Sequence, residues 1–185
     1  MEKEPRIIMT KEDVQNALRK MAQQILIENS PVKDLALVGI RSKGVELARR
    51  LIRLIHDLSG VQLPIGAVDA TLYRDDLDNS AYKPVLKKTE IDFPVTDKDI
   101  VLVDDVLYTG RTIRAALDAL IDLGRPKTIK LAVLIDRGHR ELPISANYIG
   151  LTVGTSLDES VKVTLEETGE EDGAFILPFP EETRW

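Results

Sequence analysis

The stretch VLVDDVLYTGRTIRAAL, residues 101–117, joins an apolar run to an acid pair and then to a helical pattern. The β-branched run leads into Asp104 and Asp105, and a short turn containing Gly110 precedes the helix. A buried strand that passes directly into a helix is the repeating unit of parallel α/β sheets. This stretch therefore predicts an α/β fold.

The same alternation of apolar strands and amphipathic helices occurs on both sides of this stretch. We expect strands at 35–40, 65–73, 100–103 and 128–135, and helices at about 10–29, 42–58 and 112–123. Thr10 with Asp13 should cap the first helix, Ser42 can cap the second, and Gly124 should close the third. These units predict an open, mainly parallel twisted sheet flanked by helices, with ligands at the carboxyl ends of its strands.

Composition limits the functional classes. The chain has 185 residues and no cysteine, which fits one domain without a disulfide framework or a thiolate zinc site. We find no secretory signal, and the apolar runs fall short of the ~20 residues that a membrane helix needs, so we expect a cytoplasmic protein. The net charge of −6 argues against non-specific coating of nucleic acid, although a local basic face is compatible with it.

The acid pair and the turn after it predict a ligand with hydroxyls at one end and phosphate at the other. Carboxylates at the edge of a strand can accept hydrogen bonds from vicinal hydroxyls, and amides at a helix start bind phosphate. Thr109 and Thr112 add hydroxyl donors. The alternative is that the acids only complement the helix dipole and the turn is an ordinary connection. A Walker loop and a GxGxxG turn are excluded by the spacing.

VLVDDVLYTGRT resembles the phosphoribosyl pyrophosphate (PRPP) signature of type I phosphoribosyltransferases: two acids, two apolar residues, one variable position, then Thr-Gly and a hydroxyl residue. LVGIRSKG, TLYRDDL and LAVLIDRGHRELPI extend the match up to about Ser156. Together they resemble the pyrimidine operon attenuation (PyrR) family of bacterial regulators, which are also uracil phosphoribosyltransferases. The resemblance implies one phosphoribosyltransferase domain over residues 1–185, with a flexible loop at about 74–90 and a small hood at about 137–185.

The resemblance also implies the PRPP contacts. Asp104 and Asp105 would hold the ribose hydroxyls, and residues 109–112 the 5′-phosphate. The substrate-binding residues of this stretch would be Val106, Leu107, Tyr108, Thr109, Gly110, Arg111 and Thr112. The turn formed by Arg41, Ser42, Lys43 and Gly44 would hold pyrophosphate, although read alone it could be a helix start with solvated charges. Arg74 would lie at the root of a loop that closes over PRPP, and the implied catalytic residues are Asp104, Asp105, Arg41, Lys43 and Arg74.

The implied reaction converts uracil and PRPP to UMP and pyrophosphate. Mg²⁺ is the implied cofactor, bound mainly through PRPP, and no protein metal site is expected. Purine-type relatives carry an acid where this chain has Tyr108, so we assign no general base. Uracil would be held by groups after Ile135, near Arg137.

The second implied activity is binding of the pyrimidine operon mRNA leader in response to UMP or UTP, which promotes transcription termination. The candidate contacts are Arg19, Lys20, His139 and Arg140, although the sequence alone favours solvated surface side chains at these positions. Relatives tend to carry a histidine at the position of Gln23 and a basic residue near Leu157. Three hypotheses follow: a regulator that is also an enzyme, a salvage uracil phosphoribosyltransferase without RNA binding, and a nucleotide sensor without catalysis. The family implies a homodimer or higher homo-oligomer, and we interpret His56 as structural.

Overall fold

A five-stranded parallel sheet lies at the centre of the molecule. The structure, a computed structural model, describes residues 5–70 and 89–179. In chain order the elements are β1 (Arg6–Met9), α1 (Lys11–Glu28), β2 (Leu35–Ile40), α2 (Lys43–Ser59), β3 (Ile65–Val68), β4 (Asp99–Leu107), α3 (Arg111–Asp122), β5 (Thr128–Asp136), β6 (Tyr148–Thr152), β7 (Glu159–Thr164) and β8 (Gly173–Pro178). The central sheet has the order β3-β2-β4-β5-β6, with every neighbouring pair parallel.

Helices cover both faces of this sheet because its strands are apolar on both sides. Leu37, Val101 and Val103 pack in one buried cluster with residues of α1 and α2. Val38 and Leu102, one residue along their strands, pack in a second cluster with residues of α3. Successive strand residues thus alternate between two cores. The predicted parallel sheet flanked by helices is confirmed.

The helix starts follow the predicted pattern with one exception. Thr10 Oγ1 accepts from the Asp13 amide at 3.2 Å and Asp13 Oδ2 accepts from the Thr10 amide at 2.8 Å, which is the predicted capping box. The Thr10 amide and hydroxyl both donate to Asp13 Oδ2, and these two hydrogen bonds lower the pKa of the Asp13 carboxyl. Ser42 occupies the N-cap position of α2, but its side chain makes no capping hydrogen bond there. The prediction that its hydroxyl caps the helix was therefore wrong.

A small second sheet, the hood, has the order β1-β8-β7 and is antiparallel. Arg50 of α2 joins it to the core, with guanidinium nitrogens 2.5 Å from a carboxylate oxygen of Asp172 and 2.5 Å from one of Glu167. Hydrogen bonds from Arg50 lower the pKa of both carboxyls, and the pKa of Arg50 is raised in return. Lys11 of α1 pairs with Glu166 in the same way. The hood includes β1 from the N-terminal side, which the predicted segment 137–185 did not contain, whereas β6 belongs to the central sheet.

Two strands differ in length from the prediction. β4 continues to Leu107 because Val106 and Leu107 remain paired with β5, so the acid pair lies within the strand rather than after it. β3 ends at Val68, and residues 71–73 of its predicted extent lie outside the described residues, as does most of the predicted loop at 74–90. Within the described ranges, no helix combines the length and apolarity needed to cross a membrane.

Candidate active site

The acid pair lies where β4 extends beyond β2. The β2–β4 ladder ends at Gly39 and Val103, whereas β4 stays paired with β5 as far as Leu107. Asp104 is 2% exposed and Asp105 is 4% exposed. Asp104 Oδ1 accepts from the Asp105 amide at 2.9 Å, and Asp105 Oδ1 accepts from the Val106 amide at 3.0 Å. The backbone therefore fixes the orientation of both carboxylates at the carboxyl end of the sheet.

The turn at residues 109–112 leads from β4 into α3. Gly110 is the N-cap residue and has φ of 94°, the left-handed region that favours glycine. The amides of a helix's first turn point outward from the end of the helix, and no acidic side chain lies in the first turn of α3. Thr109 Oγ1 accepts from the Arg111 amide at 3.3 Å. This arrangement suits an anion such as phosphate.

The cationic turn at residues 41–44 packs against the same part of β4. A Cβ on Gly44 would lie 2.4 Å from the carbonyl oxygen of Val103, so only glycine lets the turn come this close. Lys43 Nζ lies 3.8 Å from Asp105 Oδ2. The Arg41 amide donates to the Val68 carbonyl at 3.0 Å, and the Arg41–Ser42 peptide bond is cis. The fold thus brings the predicted pyrophosphate turn and the acid pair together.

Tyr108 connects the acid pair to the hood side of the site. The guanidinium carbon of Arg137 lies 4.0 Å from the centroid of the Tyr108 ring, and the His139 ring meets the same ring edge-on at 6.1 Å. Arg137 is 3% exposed and donates to the Glu159 carbonyl at 2.7 Å. His139 Nε2 lies 2.6 Å from the carbonyl oxygen of Thr155. The Arg137 side chain therefore joins Tyr108 to residues 155–159.

Arg140 has an inward-facing role that the sequence did not reveal. Its guanidinium donates to both oxygens of Asp136, at 2.8 and 2.7 Å, and to the carbonyls of Tyr108 at 2.8 Å and Ile144 at 2.9 Å. These contacts hold the end of β5 to the turn after β4. They argue against the predicted use of Arg140 as an RNA contact, because its donors are directed at protein acceptors. No spacing in the sequence indicates this network, since Asp136 and Arg140 do not share a helix.

The other predicted RNA contacts are accessible. Arg19 and Lys20 are exposed on α1, Gln23 is exposed one turn further along, and His139 is exposed beside Tyr108. Arg74, the predicted loop cation, lies outside the described residues. Among the residues that are described, no three His, Cys, Asp or Glu side chains come together as a metal site.

Comparisons with known proteins agree with this geometry. Residues 9–165 match the family described as Phosphoribosyl transferase domain. A protein of Pelotomaculum thermopropionicum named Bifunctional protein PyrR is 52% identical over 177 residues, which cover 96% of this chain and 98% of that protein. One of the same name from Thermus aquaticus is 54% identical over 165 residues, covering 89% of this chain and 91% of that protein.

A solved structure, a hypoxanthine phosphoribosyltransferase from Staphylococcus aureus, has a TM-score of 0.69 at 21% identity and covers 100% of this chain and 95% of its own. At that identity the likeness concerns the fold alone. The family model spans most of the chain, and each named relative is identical to it at more than half of the aligned positions. The chain therefore belongs to the phosphoribosyl transferase domain family and, within it, to the PyrR family.

Proposed function

We propose that this chain transfers the phosphoribosyl group of PRPP to uracil and also binds the pyrimidine operon mRNA leader in response to uridine nucleotides. One observation supports the enzymatic part of this proposal. Three groups lie together at one edge of the sheet: the acid pair, the amide-rich turn at 109–112 and the cationic turn at 41–44. Hydroxyls, a monophosphate and a diphosphate are the groups that such a site complements, and PRPP carries all three.

In the proposed complex the 5′-phosphate lies on the turn at residues 109–112 and the ribose hydroxyls donate to Asp104 and Asp105. The diphosphate lies on the turn at residues 41–44, where backbone amides and the cations Arg41 and Lys43 balance its charge. Arg74 is proposed to approach PRPP from the segment that follows β3. Holding the sugar at three points removes most of its freedom before reaction.

The transfer breaks the bond between C1′ and the pyrophosphate oxygen and forms a bond from N1 of uracil to C1′, with loss of the N1 proton. The sugar gains positive charge as the bond breaks, and negative charge gathers on the leaving pyrophosphate. Lys43 and Arg41 are placed to stabilise that leaving group. The buried carboxylates lie on the sugar side, where they favour the cationic sugar.

Uracil is proposed to lie beside Val106 and Tyr108, near the backbone of Arg137. Tyr108 is held between the Arg137 guanidinium and the His139 ring, and neither of these neighbours is a carboxylate that could accept the N1 proton. We therefore assign no general base. At the position where purine-type relatives carry an acid, this chain has the aromatic ring of Tyr108, which is similar in size to uracil.

Mg²⁺ fits the donors that are present. Asp104 and Asp105 supply carboxylate oxygens, which Mg²⁺ prefers, and an ion bound there would keep water and substrate phosphates as its other ligands. When bound, Mg²⁺ would neutralise negative charge on the pyrophosphate.

The test of the enzymatic proposal is formation of UMP from uracil and PRPP by the purified protein. We expect Mg²⁺-dependent release of pyrophosphate with uracil and none with hypoxanthine. Turnover with hypoxanthine in place of uracil would overturn the base assignment.

RNA binding is supported by the name Bifunctional protein PyrR of the relatives. Arg19, Lys20 and His139 are exposed and could contact phosphates or splayed bases, most readily if two subunits of a homodimer combine their surfaces. The second candidate is a salvage enzyme without RNA function. The net charge of −6 and the inward contacts of Arg140 favour it.

Titration with a pyrimidine operon leader RNA, with and without UMP over a salt series, separates the two candidates. Binding that UMP strengthens and salt weakens steeply supports the regulator. Absence of binding by protein that still makes UMP supports the salvage enzyme.

A further inference from the structure

Glu90 occupies a fixed position beside the cationic turn. Its amide donates to the Ala67 carbonyl and its carbonyl accepts from the Ala67 amide, both at 2.8 Å, so its backbone is bound to the outer edge of β3. On the next residue of that strand, the Val68 carbonyl accepts from the Arg41 amide at 3.0 Å. One strand therefore aligns the backbones of Glu90 and Arg41.

The two side chains form an ion pair at the site proposed for pyrophosphate. Arg41 Nη2 lies 2.8 Å from Glu90 Oε2. The Arg41 side chain is 20% exposed, whereas that of Glu90 is 65% exposed. The cation is thus held within the fold, while its carboxylate partner projects into solvent.

A diphosphate and this carboxylate compete for one guanidinium. Two anions at contact distance from the same cation repel each other, and the diphosphate carries more charge and more acceptors than one carboxylate. Glu90 can turn into water at small cost because its side chain is largely exposed, whereas Arg41 is held by its surroundings. Exchange of the carboxylate for the diphosphate is therefore the favourable outcome when a polyanion arrives.

We propose that Glu90 is a displaceable counter-ion of Arg41, a positioning residue that holds the guanidinium at the pyrophosphate turn when the turn is empty and gives way to the diphosphate. This inference rests on the proposed function, since it takes the turn at 41–44 as the diphosphate site. Glu90 therefore has two effects. It holds Arg41 in position before the ligand binds, and it lowers the affinity for PRPP and pyrophosphate because it must be displaced.

The experiment measures pyrophosphate affinity by calorimetry, together with steady-state kinetics, for the Glu90→Gln variant. An exposed ion pair is worth about 0.2–1 kcal/mol, so its removal should tighten pyrophosphate binding and lower the KM for PRPP by about 1.4- to 5-fold. The turnover number should not increase, because tighter pyrophosphate binding slows its release or leaves it unchanged. UMP should bind with unaltered affinity, since it has no group on the Arg41 turn.

Asp92→Asn is the matched control variant. Asp92 is also an exposed carboxylate and lies two residues after Glu90 in the sequence, and the described ion pairs of Arg41 do not include it. Removal of the Asp92 charge should therefore leave pyrophosphate affinity as in the wild type. Equal tightening in both variants, or tightening of UMP alongside pyrophosphate, would show a general charge effect and overturn the proposal. Weaker pyrophosphate binding by Glu90→Gln would show that the carboxylate does not compete with the diphosphate for Arg41, which also overturns the proposal.

The experiment distinguishes failure of the counter-ion role of Glu90 from failure of the diphosphate site at residues 41–44. If the wild type binds pyrophosphate and the Glu90→Gln variant binds it equally, only the counter-ion role is wrong. If the wild type binds no pyrophosphate at all, the diphosphate site and the counter-ion role are both wrong.

Discussion

The buried carboxylates of Asp104 and Asp105 are the residues on which the proposed reaction depends most directly. Replacing Asp105 with Asn keeps the side-chain size and an oxygen that can accept from the Val106 amide, but removes the charge opposite Lys43. A hydrogen bond to a charged group is worth about 1.5–3 kcal/mol, so UMP formation should fall about 10- to 100-fold. Steady-state assays measure this, with thermal unfolding as the check on folding. Unchanged turnover in the Asp104→Asn, Asp105→Asn double variant would contradict the ribose assignment.

Gly110 should be the glycine whose replacement damages phosphate binding. A Cβ at this position would be forced into φ of 94° and would lie 3.3 Å from Ile144 Cδ1. The left-handed conformation costs a residue with a side chain about 1–2 kcal/mol, so Gly110→Ala should raise the KM for PRPP by about 5- to 30-fold.

Gly154→Ala is the matched control for that substitution. A Cβ on Gly154 meets nothing within 4 Å, and its φ lies outside the left-handed range. Its kinetics should match the wild type. A KM for PRPP that is equal in the two variants would show that the backbone shape at Gly110 does not set phosphate affinity.

At the scale of elements, Arg50 of α2 is the main ionic link between the core and the hood. Asp172 is 2% exposed at its side chain and Arg50 is 15% exposed, so Arg50→Leu leaves a buried carboxylate without its cation. Loss of one partner of a buried pair costs about 3–5 kcal/mol. Arg49→Leu, which removes an exposed cation paired with Glu46, should cost under about 1 kcal/mol. Urea unfolding of both variants measures the difference, and similar losses would contradict the link.

The same cluster predicts how stability depends on pH. Hydrogen bonds from Arg50 lower the pKa of Glu167 and Asp172 in the folded state. Carboxyls with a lowered folded pKa add stability that is fully present above their unfolded pKa values, about 4, and is lost as the pH falls through the folded values. The wild type should therefore lose more stability between pH 5 and 2 than Arg50→Leu does. A parallel loss in both proteins, measured by urea unfolding at each pH, would contradict this account.

The helices and strands that could be predicted from the sequence are those with a clear hydrophobic pattern. Strands β2, β4 and β5 and all three helices were predicted because they bury apolar residues at regular spacing. The hood strands β1, β7 and β8 were missed because β1 and β7 bury few residues and so lack a clear apolar pattern, and because β1 pairs with a strand that is distant in sequence. In the site, the acid pair and the glycine turn follow from local sequence. The Arg41–Glu90 and Arg140–Asp136 pairs do not, since they depend on where loops return to the sheet.

At the scale of the whole molecule, catalysis and RNA binding are proposed to use separate surfaces. Arg19 and Lys20 are exposed on α1, a helix that supplies no residue of the acid pair or of the turns at 41–44 and 109–112. The Arg19→Gln, Lys20→Gln double variant should weaken leader RNA binding. The slope of log affinity against log salt concentration should fall by about one to two, because each phosphate contact releases roughly one counter-ion. Formation of UMP should remain at the wild-type rate.

Filter binding over a salt series and a parallel UMP assay measure both effects. RNA affinity equal to that of the wild type would move the RNA surface away from α1. A loss of UMP formation would show that α1 contributes to the active site.

The strand order of the hood has a consequence for how the protein is made. The last described strand, β8, lies between β1 and β7, which do not pair with each other. During synthesis β1 leaves the ribosome early, yet β8, its partner in the described sheet, is translated long after it. The central sheet can assemble while translation continues, but the hood cannot. A ribosome that stalls before residue 173 would therefore hold a nascent chain in which the sheet edge proposed to bind PRPP is largely formed and β1 is still unpaired.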